Sequence, residues 1–350
     1  MPDSTCRFLA ADFDKENWKT DTKYFLETCE RFNIPSHLEV SRSGNGGHVW
    51  IFFDEPISAD IARRMGCYLL TETMERYPEI GFDSYDRLFP NQDVVPKNGA
   101  GYGNLIALPF QGKAVQQGNT LFVDKELKPW KDQWEYLSNV RKMSYPKVKA
   151  IADEGSRIGR VVGVRMPIED DEPWTVSPSR KLKELPLTGS MPESLEIIYG
   201  DQIYIPKKDL PSSLYNRLIR IAAFQNPEFY KAQAMRLSTF GKPRIISCCE
   251  VHSTYVILPR GCLDEVVHLL KSIKVKYNVT DKRFNGDNIE VEFNGTLRSD
   301  QEFAVAALRN HDTGVLSAST AFGKTVVGTY MLAFRRVNTL ILVHRKQLLE

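Results

Sequence analysis

RFLAADFD, Arg7 to Asp14, is an apolar run that carries two carboxylates two positions apart. Side chains alternate between faces along a β-strand, so Asp12 and Asp14 point to one side and leave room between them for a shared divalent cation. Outward from this strand, TKYFLETCERF (22–32) places Tyr24, Phe25, Cys29 and Phe32 at helical spacing. LEVSRSG (38–44) and HVWIFF (48–53) read as two strands joined through the Gly-rich turn SGNGG (43–47). ADIARRMGCYLLTETMERY (59–77) predicts a second helix with Ser58 as its N-cap. A loop-like stretch over 81–103 precedes two further expected strands, NLIALPF (104–110) and TLFVD (120–124). The order β-α-β-β-α-β is that of a ferredoxin-like or RNA-recognition-like sheet, so the fold class is α+β.

PWKDQWEYLSNVRKM (129–143) predicts a helix that closes this first domain, residues 1–142. Residues 143–194 are rich in Pro, Ser, Gly and charge, as in IEDDEPWTVSPSRK (168–181), and read as a linker. Residues 195–292 read as a small α+β module. From 293 to 350 the pattern is a helix SDQEFAVAALR (299–309), a buried strand GVLSAS (314–319), a Gly-Lys-Thr turn, a helix TVVGTYMLAF (325–334) and a strand TLILVH (339–344). This is the beginning of a P-loop α/β domain.

Lys and Arg number 46 against 44 Asp and Glu, a net charge of +2, so a surface for nucleic acid must be local rather than global. The six cysteines include no C-x-x-C pair, which argues against a zinc or redox motif and for reduced thiols. No run approaches a membrane span and the N-terminus has no signal-peptide pattern, so the expected compartment is the cytoplasm. Both ends read as abrupt, as in a piece of a larger protein.

An acidic pair on a strand commonly serves as a solvated end or a cap, and gains meaning only in company. In SRSGNGGHVWIFF (41–53), Ser43, Gly44, Gly46 and Gly47 open the backbone to a phosphate, and His48 begins a strand from which it would donate to one. The same segment also reads as a plain hairpin turn. DSYDRLFPNQD (83–93) then offers Asp83, Asp86 and Asp93 as a third acidic ligand. Two carboxylates on a rigid face favour Mg²⁺ or Mn²⁺. Arg42, Arg87 and Lys97 sit in the same loops and would offer charge to phosphates.

An Asp-x-Asp strand, a Gly-rich turn ending in His and a later Asp, in that order, resemble the three motifs of the archaeo-eukaryotic primase superfamily. LAADFD, SRSGNGGHVWIFF and YDRLFPNQD followed by GNLIALPFQ are similar to the primase domain of TOTE conflict systems, in which a primase-polymerase is fused to a helicase; the likeness covers roughly residues 5–140. It implies a catalytic set of Asp12, Asp14 and Asp86 holding two ions of Mg²⁺ or Mn²⁺. It also implies that Ser43, Gly44, Gly46 and His48, with Arg42 beside them, contact the triphosphate of an incoming nucleotide. DNA, as single-stranded template and primer-template, and nucleoside triphosphates are the implied partners. Relatives carry a further unit ahead of the Asp-x-Asp strand, whereas eleven residues precede Asp12 here.

ASTAFGKT (318–325) places Gly323, Lys324 and Thr325 between an expected strand and helix, the setting of a phosphate-binding loop. Lys324 would meet the β and γ phosphates of ATP and Thr325 a Mg²⁺ ion. The loop, opening on Ala318, resembles that of superfamily-two helicases. LRSDQ resembles their adenine-contacting segment, through Gln301, and TLILVHRKQLLE a backbone-contacting strand near His344 and Arg345. No DEAD or DEAH box follows before Glu350, so ATP hydrolysis by this chain is not expected. The leading expectation is a primase-polymerase joined to the start of a helicase; the alternative is a non-catalytic nucleic-acid-binding module, a role that RNA-recognition-like sheets also serve.

Overall fold

The computed structural model describes residues 3–14, 16–95, 105–164, 187, 189–208 and 210–343. Lys97, His344, Arg345 and the acid-rich stretch 168–181 lie outside the described residues. The elements, in chain order, are β1 (Thr5–Phe13), α1 (Trp18–Arg31), β2 (His37–Val40), β3 (Gly47–Ser58), α2 (Ala59–Arg76), β4 (Leu88–Phe89), α3 (Gly112–Gln116), β5 (Phe122–Val123), α4 (Gln133–Ser138) and α5 (Tyr145–Arg157). There follow β6 (Ser194–Tyr199), β7 (Ile203–Pro206), α6 (Ser212–Ile221), β8 (Ala223–Gln225), α7 (Pro227–Ala234), β9 (Ile245–Ser247), β10 (Glu250–Val251), β11 (Tyr255–Leu258), α8 (Leu263–Ser272), β12 (Lys276–Asp281), α9 (Ser299–Arg309) and α10 (Lys324–Arg335). The chain divides into two compact units, Met1–Glu193 with Pro206–Val256, and Ser194–Ile205 with Ile257–Glu350.

In the first unit β1 to β5 form an antiparallel sheet ordered β4-β1-β3-β2-β5. With α1 between β1 and β2 and α2 between β3 and β4, the first four strands follow the expected β-α-β-β-α-β path. Period-two patterning sorts the faces. Leu9, Ala11, Phe13, Leu38, Val49, Ile51 and Phe53 pack with Phe25 and Cys29 of α1 and Met65 and Leu69 of α2 in one core. Each such large side chain contributes about 1.5–3 kcal/mol over leaving it exposed. The opposite face carries Ala10, Trp50 and Phe122, with Phe8, Phe52, Phe110 and Tyr136 packed against them.

Three local expectations change. The fourth strand is Leu88–Phe89, not NLIALPF, of which the described residues 105–110 form no strand. Leu88 is fully buried opposite Ala11, whereas Leu105 and Leu108 are exposed, so the shorter segment gains the buried edge of β1. Ser58 stands at the N-cap of α2 as expected, but its side chain makes no capping bond. Residues 145–157, inside the stretch read as a linker, form α5: Pro146 suits the first turn, and Val148 and Ala152 are fully buried. Gly155 faces Tyr68 of α2, whose ring carbon lies 2.6 Å from where a Cβ would stand.

The stretch 195–292 divides between the units, and its middle part, 206–256, packs on the N-terminal sheet and helices. Asn216 donates to the Met74 carbonyl and Arg220 to that of Val162 at 2.6 Å. Gln92 donates to Thr239 and Gln233 to Asp93, each at 2.6 Å. Arg63 pairs with the same Asp93.

In the second unit β6 runs parallel to β12 and antiparallel to β7, in the strand order β11-β7-β6-β12. The helices α9 and α10 form where the periodicity places them. The described residues of 314–319 and 339–344 form no β-strand, contrary to expectation, and Val315, Leu340 and Leu342 are among the most exposed apolar side chains. Buried parallel strands draw their stability from neighbours on both sides, and among the described residues no strand pairs with these segments.

Candidate active site

Antiparallel register sets Asp12 of β1 opposite His48 of β3, and His48 opposite Glu39 of β2. The three side chains therefore form a row on the sheet face away from α1 and α2. His48 Nε2 lies 3.6 Å from Asp12 Oδ1, and His48 Nδ1 lies 3.0 Å from Glu39 Oε2. The same Glu39 oxygen accepts from Trp50 Nε1 at 2.7 Å. Glu39 is completely buried, and its other oxygen, Oε1, has no hydrogen-bond partner among the described residues. His48 is buried too, while Asp12 keeps a partly exposed edge.

Asp14, just past the end of β1, forms an ion pair with Arg87 Nη1, which also lies 3.8 Å from Asp12 Oδ2. Arg87 ends the 3-10 turn Phe82–Arg87 and reaches Asp83 at 3.9 Å through Nε. The guanidinium thus sits among three carboxylates. Burial, first, and then the neighbouring charge of Asp14 push the pKa of Asp12 up, against the opposing pull of His48 and Arg87.

The Gly-rich turn lies next to the row. Ser41 N donates to Gly46 O and Gly44 N to Ser41 O, closing the turn, and Ser43 Oγ accepts from Asn45 N and contacts Ser41 Oγ. A Cβ on Gly46 would stand 2.8 Å from Phe13 O, so only glycine lets the turn lie against the end of the Asp-bearing strand. The backbone carbonyl of Arg42 accepts from Asn119 Nδ2. Ser43, Gly44, Gly46 and His48 are thereby brought to the same end of the sheet as Asp12 and Asp14.

Asp86 is placed differently. Both its oxygens accept from Arg244 N, at 2.9 and 3.1 Å, and the buried Arg244 guanidinium lies 3.9 Å away. Burial is also the chief cause that raises the pKa of Asp86. Asp93 serves Arg63 and Gln233. Among the described residues no group of three or more His, Cys, Asp and Glu side chains stands ready-made as a cation cage. The donor set nonetheless fits a divalent ion: Asp12 and Asp14 share a face, and a cation, Arg87, already bridges them.

Glu39 was not singled out by sequence reasoning. Its signal was a single acid alternating with Leu38 and Val40 in a strand that the hairpin sets beside His48.

In the second unit, Gln301 of α9 is buried and donates to Phe322 O at 2.9 Å, which anchors the loop ahead of Gly323. Lys324 Nζ donates to Ala318 O and Ser319 O at 2.8 and 2.9 Å, and Gly323 stands at the N-cap of α10, with Lys324 and Thr325 in its first turn. Gln301, Gly323, Lys324 and Thr325 are thus gathered around one loop.

No helix among the described residues is long and apolar enough to cross a membrane. None of the curated proteins matches the chain. Residues 1–151, which hold β1 to β5 and the whole Asp12–His48–Glu39 row, match the family described as the TOTE conflict system, Archaeo-Eukaryotic Primase domain.

Proposed function

We propose that this chain carries out template-directed nucleotidyl transfer from (d)NTPs onto nucleic acid. The match of residues 1–151 to a primase domain supports primase-like transfer in coarse terms, with nucleic acid and nucleotides as substrates. The observation that supports the finer reading is that Asp12 and Asp14 lie beside His48 and the Gly-rich turn at one end of one sheet face, where carboxylates for a metal ion and donors for a phosphate would be needed together. Asp12, Asp14 and Asp86 would hold two Mg²⁺ or Mn²⁺ ions, which when bound lower the pKa of the attacking 3′-hydroxyl and offset charge in the in-line displacement. Ser43 and Gly46 would present backbone N–H groups and the Ser43 hydroxyl to the triphosphate, Gly44, whose own N–H closes the turn on Ser41 O, would leave room for its approach, and Arg42 would add charge. His48 would direct Nε2 to a phosphate oxygen. Arg87 balances the acidic pair before an ion arrives.

Extension of a labelled primer-template by the purified chain with Mn²⁺ and dNTPs or NTPs is the test. Product is expected from the wild type and is lost, by at least about a hundredfold, in Asp12→Ala/Asp14→Ala, as for removal of groups that act on the transition state. Equal product from both proteins would reject the assignment.

The β-α-β-β-α-β sheet also suits one competing reading, a non-catalytic nucleic-acid-binding module. Absence of Mn²⁺ binding by the folded wild type would select it. For residues 293–350 we propose the beginning of a helicase motor in which Gln301 meets adenine, Gly323 and Lys324 the phosphates, and Thr325 a Mg²⁺ ion of ATP.

A further inference from the structure

We infer that Glu39 is a positioning residue that fixes the orientation of His48, so that Nε2 and not Nδ1 is the ring nitrogen presented on the Asp12 side. Three observations carry this. First, Glu39 Oε2 lies 3.0 Å from His48 Nδ1 in direct cross-strand register, and an acceptor there is met by a ring N–H. Second, that oxygen is held from the other side by Trp50 Nε1 at 2.7 Å, so the acceptor cannot turn away without leaving a buried indole N–H unpaired. Third, Glu39 is fully buried and its Oε1 has no hydrogen-bond partner among the described residues, an arrangement that core packing does not require of a strand position flanked by Leu38 and Val40. A carboxylate behind a histidine is the usual device for fixing which ring nitrogen faces the reacting side.

The inference rests on the reading of this site as a nucleotide-transfer centre only for its consequence, not for the ring geometry. The experiment is ring ¹⁵N–¹H NMR of ¹⁵N-histidine-labelled chain, with nucleotide affinity measured by titration in Mn²⁺. Wild type is expected to show a His48 Nδ1 proton that is shifted downfield and protected from exchange. Glu39→Ala loses that signal and weakens nucleotide binding by about 10–100-fold, the usual cost of removing such a partner. Glu39→Gln, whose amide oxygen accepts from both donors, restores the proton signal and most of the affinity. Trp50→Phe, which removes the indole donor and keeps an aromatic ring, keeps the His48 signal. An unprotonated Nδ1 in the wild type, or a Glu39→Ala protein that keeps both signal and affinity, overturns the inference. If the wild type binds no nucleotide, the reading of the site fails, while the ring signal in wild type and Glu39→Ala still decides the role of Glu39.

Discussion

At the scale of single residues, Asp12 couples fold stability to pH. Its pKa is raised in the folded chain, mainly by burial and then by Asp14, so the protonated form is favoured on folding. The favourable contribution is present below the ordinary Asp range and is lost as pH rises through the folded value. Asp12→Asn is therefore expected to raise Tm at pH 7 in the absence of metal, with the gain vanishing below about pH 4, where the unfolded carboxylate is also protonated; scanning calorimetry at the two pH values checks it. Mn²⁺ is expected to raise the wild-type Tm and to leave the Asp12→Asn protein unchanged. On the proposed ligand set, Asp86→Asn is expected to weaken Mn²⁺ binding about tenfold or more and Asp83→Asn, at a carboxylate nearly half exposed and 3.9 Å from Arg87, only slightly, as read by titration. The Asp-x-Asp pair and His48 were legible because strand periodicity announces them. Glu39 was not, because an acid in a short strand has meaning only once the register shows what stands opposite.

At the scale of elements, the helices and central strands declared themselves through apolar spacing, as Phe25 and Cys29 do in α1 or Met65 and Leu69 in α2. α5 was hidden by its polar composition, although Val148, Ala152 and Gly155 lie three and four apart on the face it buries. NLIALPF misled in the opposite sense: an apolar run becomes a strand only where an edge is free to pair with it, and Leu88–Phe89 occupies that edge. Since a Cβ on Gly155 would stand 2.6 Å from a Tyr68 ring carbon, Gly155→Ala is expected to cost about 1–3 kcal/mol by overpacking, outweighing the helix propensity gained, measured by urea unfolding.

At the scale of the molecule, Arg244 joins the later part of the first unit to the earlier. It is almost fully buried, donates to Asn91 O at 2.7 Å, lies 4.2 Å over the Phe229 ring and faces Asp86. Arg244→Ala is expected to destabilise by about 3 kcal/mol, the order found when one member of a buried charged network is removed, and Arg244→Lys to recover only part, since a point charge cannot fill the planar site. Chemical denaturation of each variant checks this. No motif in 206–256 foretold the attachment, because the contacts are single polar groups far apart in sequence, such as Asn216 on Met74 and Gln233 on Asp93.

The first unit is made of two stretches, with Ser194–Ile205 between them belonging to the other unit. During synthesis the chain emerges from its N-terminus, and units generally close once their last residue is out. The Asp12 site therefore cannot gain its complete support until Val256 has emerged, although every strand of the sheet is finished by Val123. A nascent chain in between carries Asp86 with the Arg244 amide still unmade, and the same interleaving means that no single backbone cut releases either unit whole.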